Sequence, residues 1–205
     1  MTSDNEKLQT DCLELVVAAL ASHGLLLKQD KALPSVVGMI TGESLSTSWW
    51  GHPKSHLIFS VLSRLGDHPD VLFTKLLSRK VTLIHASLWP ALLAVACSRD
   101  AWQLRGMSAP AAELLRRIDG DGGAVRAAGP AVKEIEIRIL AATQEVHTES
   151  GRHEIMLETW QSWSGRVNCV ALESKEHARQ TLEQSVAKLG APASALPWNT
   201  KKSNA

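Results

Sequence analysis

The chain has 205 residues, 44% apolar and 21% charged, which suits a well-packed globular protein and excludes long disorder. Net charge is +1, with eight basic against eight acidic residues over 1–90 and 14 against 13 beyond. That excludes the broad basic footprint of a strong nucleic-acid binder. No apolar run reaches the ~20 residues of a membrane span, and "MTSDNEKLQT" lacks a basic-then-apolar signal pattern.

Cys12, Cys97 and Cys169 are far apart and form no CxxC pair, which argues against a thiolate zinc site and predicts a reducing, cytoplasmic setting. Aromatic usage is lopsided, with seven Trp, two Phe and no Tyr.

The spacing of Leu13, Val16, Val17 and Leu20 predicts a first helix from about Glu6 to His23, stopped by Gly24. "LLLKQD" reads as extended, and "LPSVVGMITG" as a short helix with Pro34 near its first turn and Gly42 after its end. "SWWGHP" is a loop whose Pro53 can open the next helix. There Ile58, Val61, Leu62 and Leu65 form the apolar stripe, and Gly66 and Pro69 end it. Val71–Leu77 and Val81–His85 flank the polar turn Ser78–Lys80, a hairpin signal, and "PALLAVAC" starts another short helix.

Helix, extended piece, helix, helix and hairpin is the element order of a winged helix-turn-helix. The second half reads as helical. Ser108 caps a helix with Leu114, Leu115 and Ile118 inward, and "GDGG" is a flexible connection. A long amphipathic helix runs from "PAVKEIEIRILAATQEV" through to Trp163. "SKEHARQTLEQSVAKLG" forms the last helix, before a loose tail whose Leu196 and Trp198 can tuck back. The expected fold is therefore mainly α with a small β-hairpin: a winged helix-turn-helix module over residues 1–104, then a helical module over residues 105–205.

Two clusters carry candidate chemistry. On a continuous helix Glu145, Glu149 and His153 form a ladder, and a Glu and a His one turn apart can share a metal or act as acid–base partners. His147 joins them only if the helix breaks at Ser150–Gly151. Glu–His pairs also decorate ordinary helices, and no HExxH, GxSxG or Walker-type loop occurs. A buried polar hinge is therefore expected here, with Glu149, His153 and His147 the catalytic or metal candidates and no cofactor. The second cluster is basic: Lys75, Arg79 and Lys80 on the hairpin, with Lys54 and Arg64 on the preceding helix. In a winged helix these elements meet the DNA groove and its flanking backbone; otherwise they are a solvated turn and a polar helix face. Trp49 and Trp50 are either an exposed stacking pair or a cap on the core.

The run "SWWGHPKSHLIFSVLSRLGDHPDVLFTKLLSRKVTLIHASLWPALLAVA", with "EVHTESGRHEIMLETWQSW", resembles small bacterial proteins related to the winged-helix, AlkZ-like DNA glycosylases, over about residues 45–165. In that family tandem winged helices form a concave DNA-binding surface and a Gln-x-Gln motif does the chemistry. Here Gln9, Gln29, Gln103, Gln144, Gln161, Gln180 and Gln184 are never two apart, and the chain is short for that architecture. The resemblance implies the fold and nucleic-acid contact, and does not carry glycosylase activity across.

Three functions follow as expectations: a winged-helix protein that contacts duplex DNA without catalysis, a module that docks a protein partner, and a metal- or acid–base-dependent hydrolase built on Glu149 and His153. No membrane association is expected.

Overall fold

The computed structural model describes residues 2–120, 123–147 and 153–199. Helix α1 (Thr2–His23) buries Val16 and Leu20 along one side and stops at Gly24. Gly24 has φ +81°, its N–H donates to the Leu20 carbonyl at 2.7 Å, and a Cβ there would lie 2.8 Å from Leu88 Cδ1. The left-handed backbone favours glycine, and a side chain there would also displace Leu88. Strand β1 (Leu25–Leu27) is fully buried, and α2 (Val36–Thr41) begins where Ser35 Oγ accepts from the Gly38 N–H at 3.2 Å. A 3-10 turn at Trp49–Gly51 leads into α3 (Ser55–Gly66), which buries Leu57, Ile58, Val61 and Leu65.

Strands β2 (Val71–Thr74) and β3 (Thr82–His85) form the expected antiparallel hairpin, with Val71 opposite His85, and β1 pairs on the other side of β3. The ladder is shorter than the sequence suggested. Leu76 and Leu77 leave it to be buried at 1% exposure each, and a 3-10 turn spans Leu77–Arg79. Burying a leucine side chain is worth about 1.5–3 kcal/mol, more than a ladder bond contributes. Thr82 Oγ1 holds the connection, accepting from the Leu77 N–H at 3.1 Å and donating to the Lys80 carbonyl at 3.0 Å.

Helices α4 (Trp89–Ala96), α5 (Ala101–Leu104) and α6 (Ala109–Gly120) follow, then β4 (Val125–Ala127) and α7 (Pro130–Ile137). The predicted long helix to Trp163 does not form. After α7 the chain makes β5 (Ala142–His147) and β6 (His153–Glu158), and only then α8 (Trp160–Arg166). The break is at Ile139, which adopts φ +53° while its side chain is fully buried and its carbonyl accepts from Trp160 Nε1 at 2.9 Å. A left-handed β-branched residue cannot continue a helix, so the apolar spacing that suggested one serves a reversal and a hairpin instead. Glu149, Ser150 and Gly151, like Asp121 and Gly122 of "GDGG", lie outside the described residues.

The second half is thus not purely helical, and the molecule is mainly α with two small antiparallel sheets. Their strand orders match, β1-β3-β2 and β4-β6-β5, and β5 lies beside β2. The final helix α9 (Lys175–Lys188) packs on α4 and joins the larger core, which also holds Ile139, Trp160 and Trp163. Trp163 contacts the rings of Trp89 and Trp160 edge-on, at 5.1 and 5.5 Å. A smaller core gathers Leu114, Leu115, Ile118, Val132, Ile135 and Leu157. The tail docks as expected: Leu196 is fully buried, and Trp198 Nε1 donates to Glu183 at 3.0 Å. Among the described residues, no helix is long and apolar enough to cross a membrane.

Candidate interaction surface

The segment before α3 is tied down from several sides. Gln29 Nε2 donates to the Thr47 carbonyl at 2.5 Å, and Lys54 Nζ to the Ile40 and Thr41 carbonyls at 2.9 and 3.3 Å. His52 Nδ1 accepts from the Lys54 N–H at 3.0 Å, so its ring proton sits on Nε2, which lies 3.0 Å from Glu43 Oε1. These bonds fix the Trp pair. Trp49 is buried and Trp50 is 64% exposed, the two stacked with centroids 4.1 Å apart. One tryptophan caps the core and the other is presented to solvent.

Trp50 has a neighbour on α3 that motif spacing does not single out. Phe59 is 48% exposed with its ring 6.1 Å from Trp50. It sits on the side of α3 away from the buried stripe, with exposed His56 and Ser63. None of these residues is a lysine, an arginine or an acid. A sequence signal for it exists: an aromatic among the polar positions of an amphipathic helix has no core to fill.

The five cations picked from the sequence do not gather into one face of free charge. Lys54 is committed to the α2 carbonyls. Arg64, on the α1 side of α3, reaches Thr10 Oγ1 at 3.3 Å. Lys75 pairs with Glu136 of α7 at 2.5 Å, and Lys80 with Asp30 at 2.6 Å. Only Arg79, exposed at the turn beside Ser78, has no partner among the described residues. Both take left-handed backbone, φ 49° for Ser78 and 62° for Arg79.

Burial alone would push the Asp30 carboxyl up. The bond from Lys80 and those from the Ala32 and Leu33 N–H groups outweigh it and hold its pKa below the ordinary carboxylate range. Lys80 is therefore engaged by a genuine anion.

The Glu/His cluster loses its helical geometry. His147 and His153 are strand residues directly opposite each other, and Glu149 lies outside the described residues. Among the described side chains no group of three His, Cys, Asp or Glu residues could hold a metal ion. Burial pushes the Cys12, Cys97 and Cys169 thiols up, away from the thiolate form. Among the described residues, open grooves include one of about 380 Å3 lined by Cys97, Ser98, Leu172, Glu173 and Lys175, and one of about 250 Å3 beside His52 and Ser48. Their serines are engaged elsewhere: Ser98 Oγ bonds the Val95 carbonyl at 2.7 Å and Gln103 Oε1 at 3.1 Å, and Ser48 Oγ accepts from the Trp50 N–H at 3.5 Å.

No family model matches the chain, and no curated protein or solved structure resembles it at a significant level.

Proposed function

We propose that this is a non-catalytic protein built from two winged-helix units that docks a protein partner through the outward face of α3. The order α1, β1, α2, α3, β2, β3 with sheet order β1-β3-β2 fits the first unit, and α6, β4, α7, β5, β6 with order β4-β6-β5 fits a reduced second one. The observation that carries the function is the uncharged aromatic face formed by Trp50 and Phe59. A helix that reads DNA carries cations on this face to meet phosphates; an interface centre is depleted of charge and enriched in Trp and Phe.

A nucleic-acid reading has one specific support, the exposed Arg79 at the turn of the first hairpin, with half-exposed Lys80 beside it. In either case a reducing, cytoplasmic setting suits the three free thiols.

The experiment compares wild-type protein with Trp50→Ala/Phe59→Ala and Arg79→Ala/Lys80→Ala. Affinity purification with mass spectrometry identifies a partner, and the complex is rebuilt from purified components. Loss of that complex in the aromatic variant alone supports docking. The opposite outcome is wild-type binding of duplex DNA at low salt. Its log–log salt slope would become shallower by roughly one unit for each phosphate that the arginine–lysine variant no longer neutralises. That result overturns docking in favour of DNA.

A further inference from the structure

We infer that Lys28, Lys31, Arg79 and Lys80 form a steering patch that draws an acidic segment of the partner onto the Trp50–Phe59 face. The inference rests on the docking reading above and adds the partner's charge. The two loops that carry these cations lie side by side at one end of the first sheet. The Lys28 N–H donates to the Val81 carbonyl at 2.9 Å, and Lys80 Nζ reaches back to Asp30 at 2.6 Å. Lys31 follows Asp30 and Arg79 precedes Lys80, both exposed, and Lys28 is half-buried. The side chains of Lys28, Lys31 and Arg79 have no ion-pair partner among the described residues. Residues 28–35 and 76–81 carry four cations against one acid, a net of three positive charges (four minus one). That acid, Asp30, is only 6% exposed at its side chain and is already occupied by Lys80.

One side chain ties the patch to the aromatic face. Gln29, between Lys28 and Asp30, donates to the Leu45 and Thr47 carbonyls at 3.4 and 2.5 Å. Thr47 stands three residues before Trp50, at most about 11 Å along the backbone. That is comparable with the ~10 Å over which 0.1 M salt screens a charge, so the field of the patch reaches the tryptophan. An uncharged aromatic centre holds a partner, and cations at its edge set the approach. Edge charges govern the association rate and its salt dependence more than the lifetime of a complex. Removing them therefore slows arrival without abolishing the complex. Nucleic acid fits less well, because four cations are few and the outward side of α3 adds no phosphate contact beside them.

The probe is a short fluorescein-labelled peptide in which glutamate and aspartate alternate with leucine and tryptophan. Its control has glutamine and asparagine in place of the acids. Stopped-flow anisotropy gives association and dissociation rates for the full chain at about 50 and 200 mM salt. The acidic peptide should associate faster than the amide one, and its advantage should shrink as salt rises. Lys31→Glu/Arg79→Glu, which leaves the Lys80–Asp30 pair alone, should slow that association about tenfold at low salt and flatten its salt dependence. Trp50→Ala/Phe59→Ala should instead speed dissociation and keep the salt dependence of association. If the aromatic variant releases the peptide no faster than wild type, the docking reading fails while the steering patch stands. Equal melting temperatures show that the variants fold. If one does not, NMR of the wild-type protein decides, because the acidic peptide and not the amide one should shift the amides of residues 28–31 and 78–80. Equal association of the two peptides, capture by the charge-reversed variant at the wild-type rate, or identical shifts with both peptides would overturn the inference. So would faster association of a short DNA duplex of equal charge, which would assign the patch to nucleic acid.

Discussion

Gln103 and Arg138 exchange hydrogen bonds: the Gln103 amide donates to the Arg138 carbonyl at 3.2 Å, and the Arg138 guanidinium donates to the Gln103 carbonyl at 2.8 Å. Gln103 is fully buried, and it also donates to the Ala96 carbonyl at 3.0 Å and accepts from the Asp100 N–H at 2.9 Å. Arg138 extends the network to the carbonyls of Arg105 and Gly106, both at 3.1 Å. The end of α4, all of α5 and the end of α7 are thus joined by two side chains.

Replacing Gln103 with Ala strands several buried polar groups at once. We expect a loss of about 1–3 kcal/mol, the range for leaving buried groups unsatisfied. Urea denaturation should show a lower midpoint with an unchanged m-value. A loss under about 0.5 kcal/mol would mean that water replaces the amide and the network is not a structural joint.

The Lys75–Glu136 pair should respond asymmetrically, because Glu136 is only 10% exposed at its side chain and Lys75 24%. Lys75→Ala leaves a carboxylate without its partner at the β2–α7 junction, and we expect a destabilisation of about 1–3 kcal/mol. Lys75→Met combined with Glu136→Leu should be near neutral, since removing both charges also removes their desolvation cost. A double variant no better than Lys75→Ala would contradict this account.

Stability should fall in acid and stay flat, as far as these carboxyls are concerned, nearer neutrality. Hydrogen bonds from Ser108 lower the Glu134 pKa. At Asp100 burial raises it, but Lys175, Ser98 and Arg179 outweigh that, as Lys80 does at Asp30. Each folded pKa lies below its unfolded value, so the stabilisation is complete above about pH 4 and is lost as pH drops through the lowered values. Melting temperature followed from pH 7 to pH 2 checks the sign. Lys80→Ala lowers stability near neutrality and should make the acid-linked fall smaller, because Asp30 is then held less far below its unfolded pKa. An identical profile in that variant would sever the link to Asp30.

The two stacked tryptophans should behave as opposites. Trp49→Ala removes a buried ring and should cost about 3–5 kcal/mol, whereas Trp50→Ala gives up only ring stacking, worth about 0.5–1.5 kcal/mol. Chemical denaturation of the two variants measures the difference directly. Equal costs would mean that Trp50 is part of the core and not a presented surface.

The first sheet is legible in the sequence because each element there carries its own local marker: Gly24 after α1, Pro34 and Gly42 about α2, and two apolar runs about a polar turn. The second sheet is not. "AATQEVH" contains helix-favouring Ala, Gln and Glu, and its apolar spacing matches a helical period as well as a strand. What separates the two is Ile139 in a left-handed conformation, held by burial and by Trp160, and no neighbouring residue announces that. The ion pairs that occupy Lys75 and Lys80 come from Glu136 and Asp30, far away in the chain, so five cations look freer in sequence than they are in space. The candidate face is half legible. Trp50 stands out as one of a tryptophan pair, whereas Phe59 is a lone aromatic inside a helix whose stripe is already complete without it.

The packing of α9 on α4 sets a timetable for synthesis. Trp89, Leu92, Leu93 and Ala96 are all buried in the finished protein, but the helix that covers α4 lies near the other end of the chain. At roughly 5–20 residues per second, a ribosome leaves that apolar surface uncovered for several seconds after the first sheet is complete. The nascent chain must therefore be shielded, or remain soluble with the apolar side of α4 exposed, until Lys175–Lys188 emerges. A fragment ending after α8 would carry that side exposed permanently and should aggregate, however well its own strands pair.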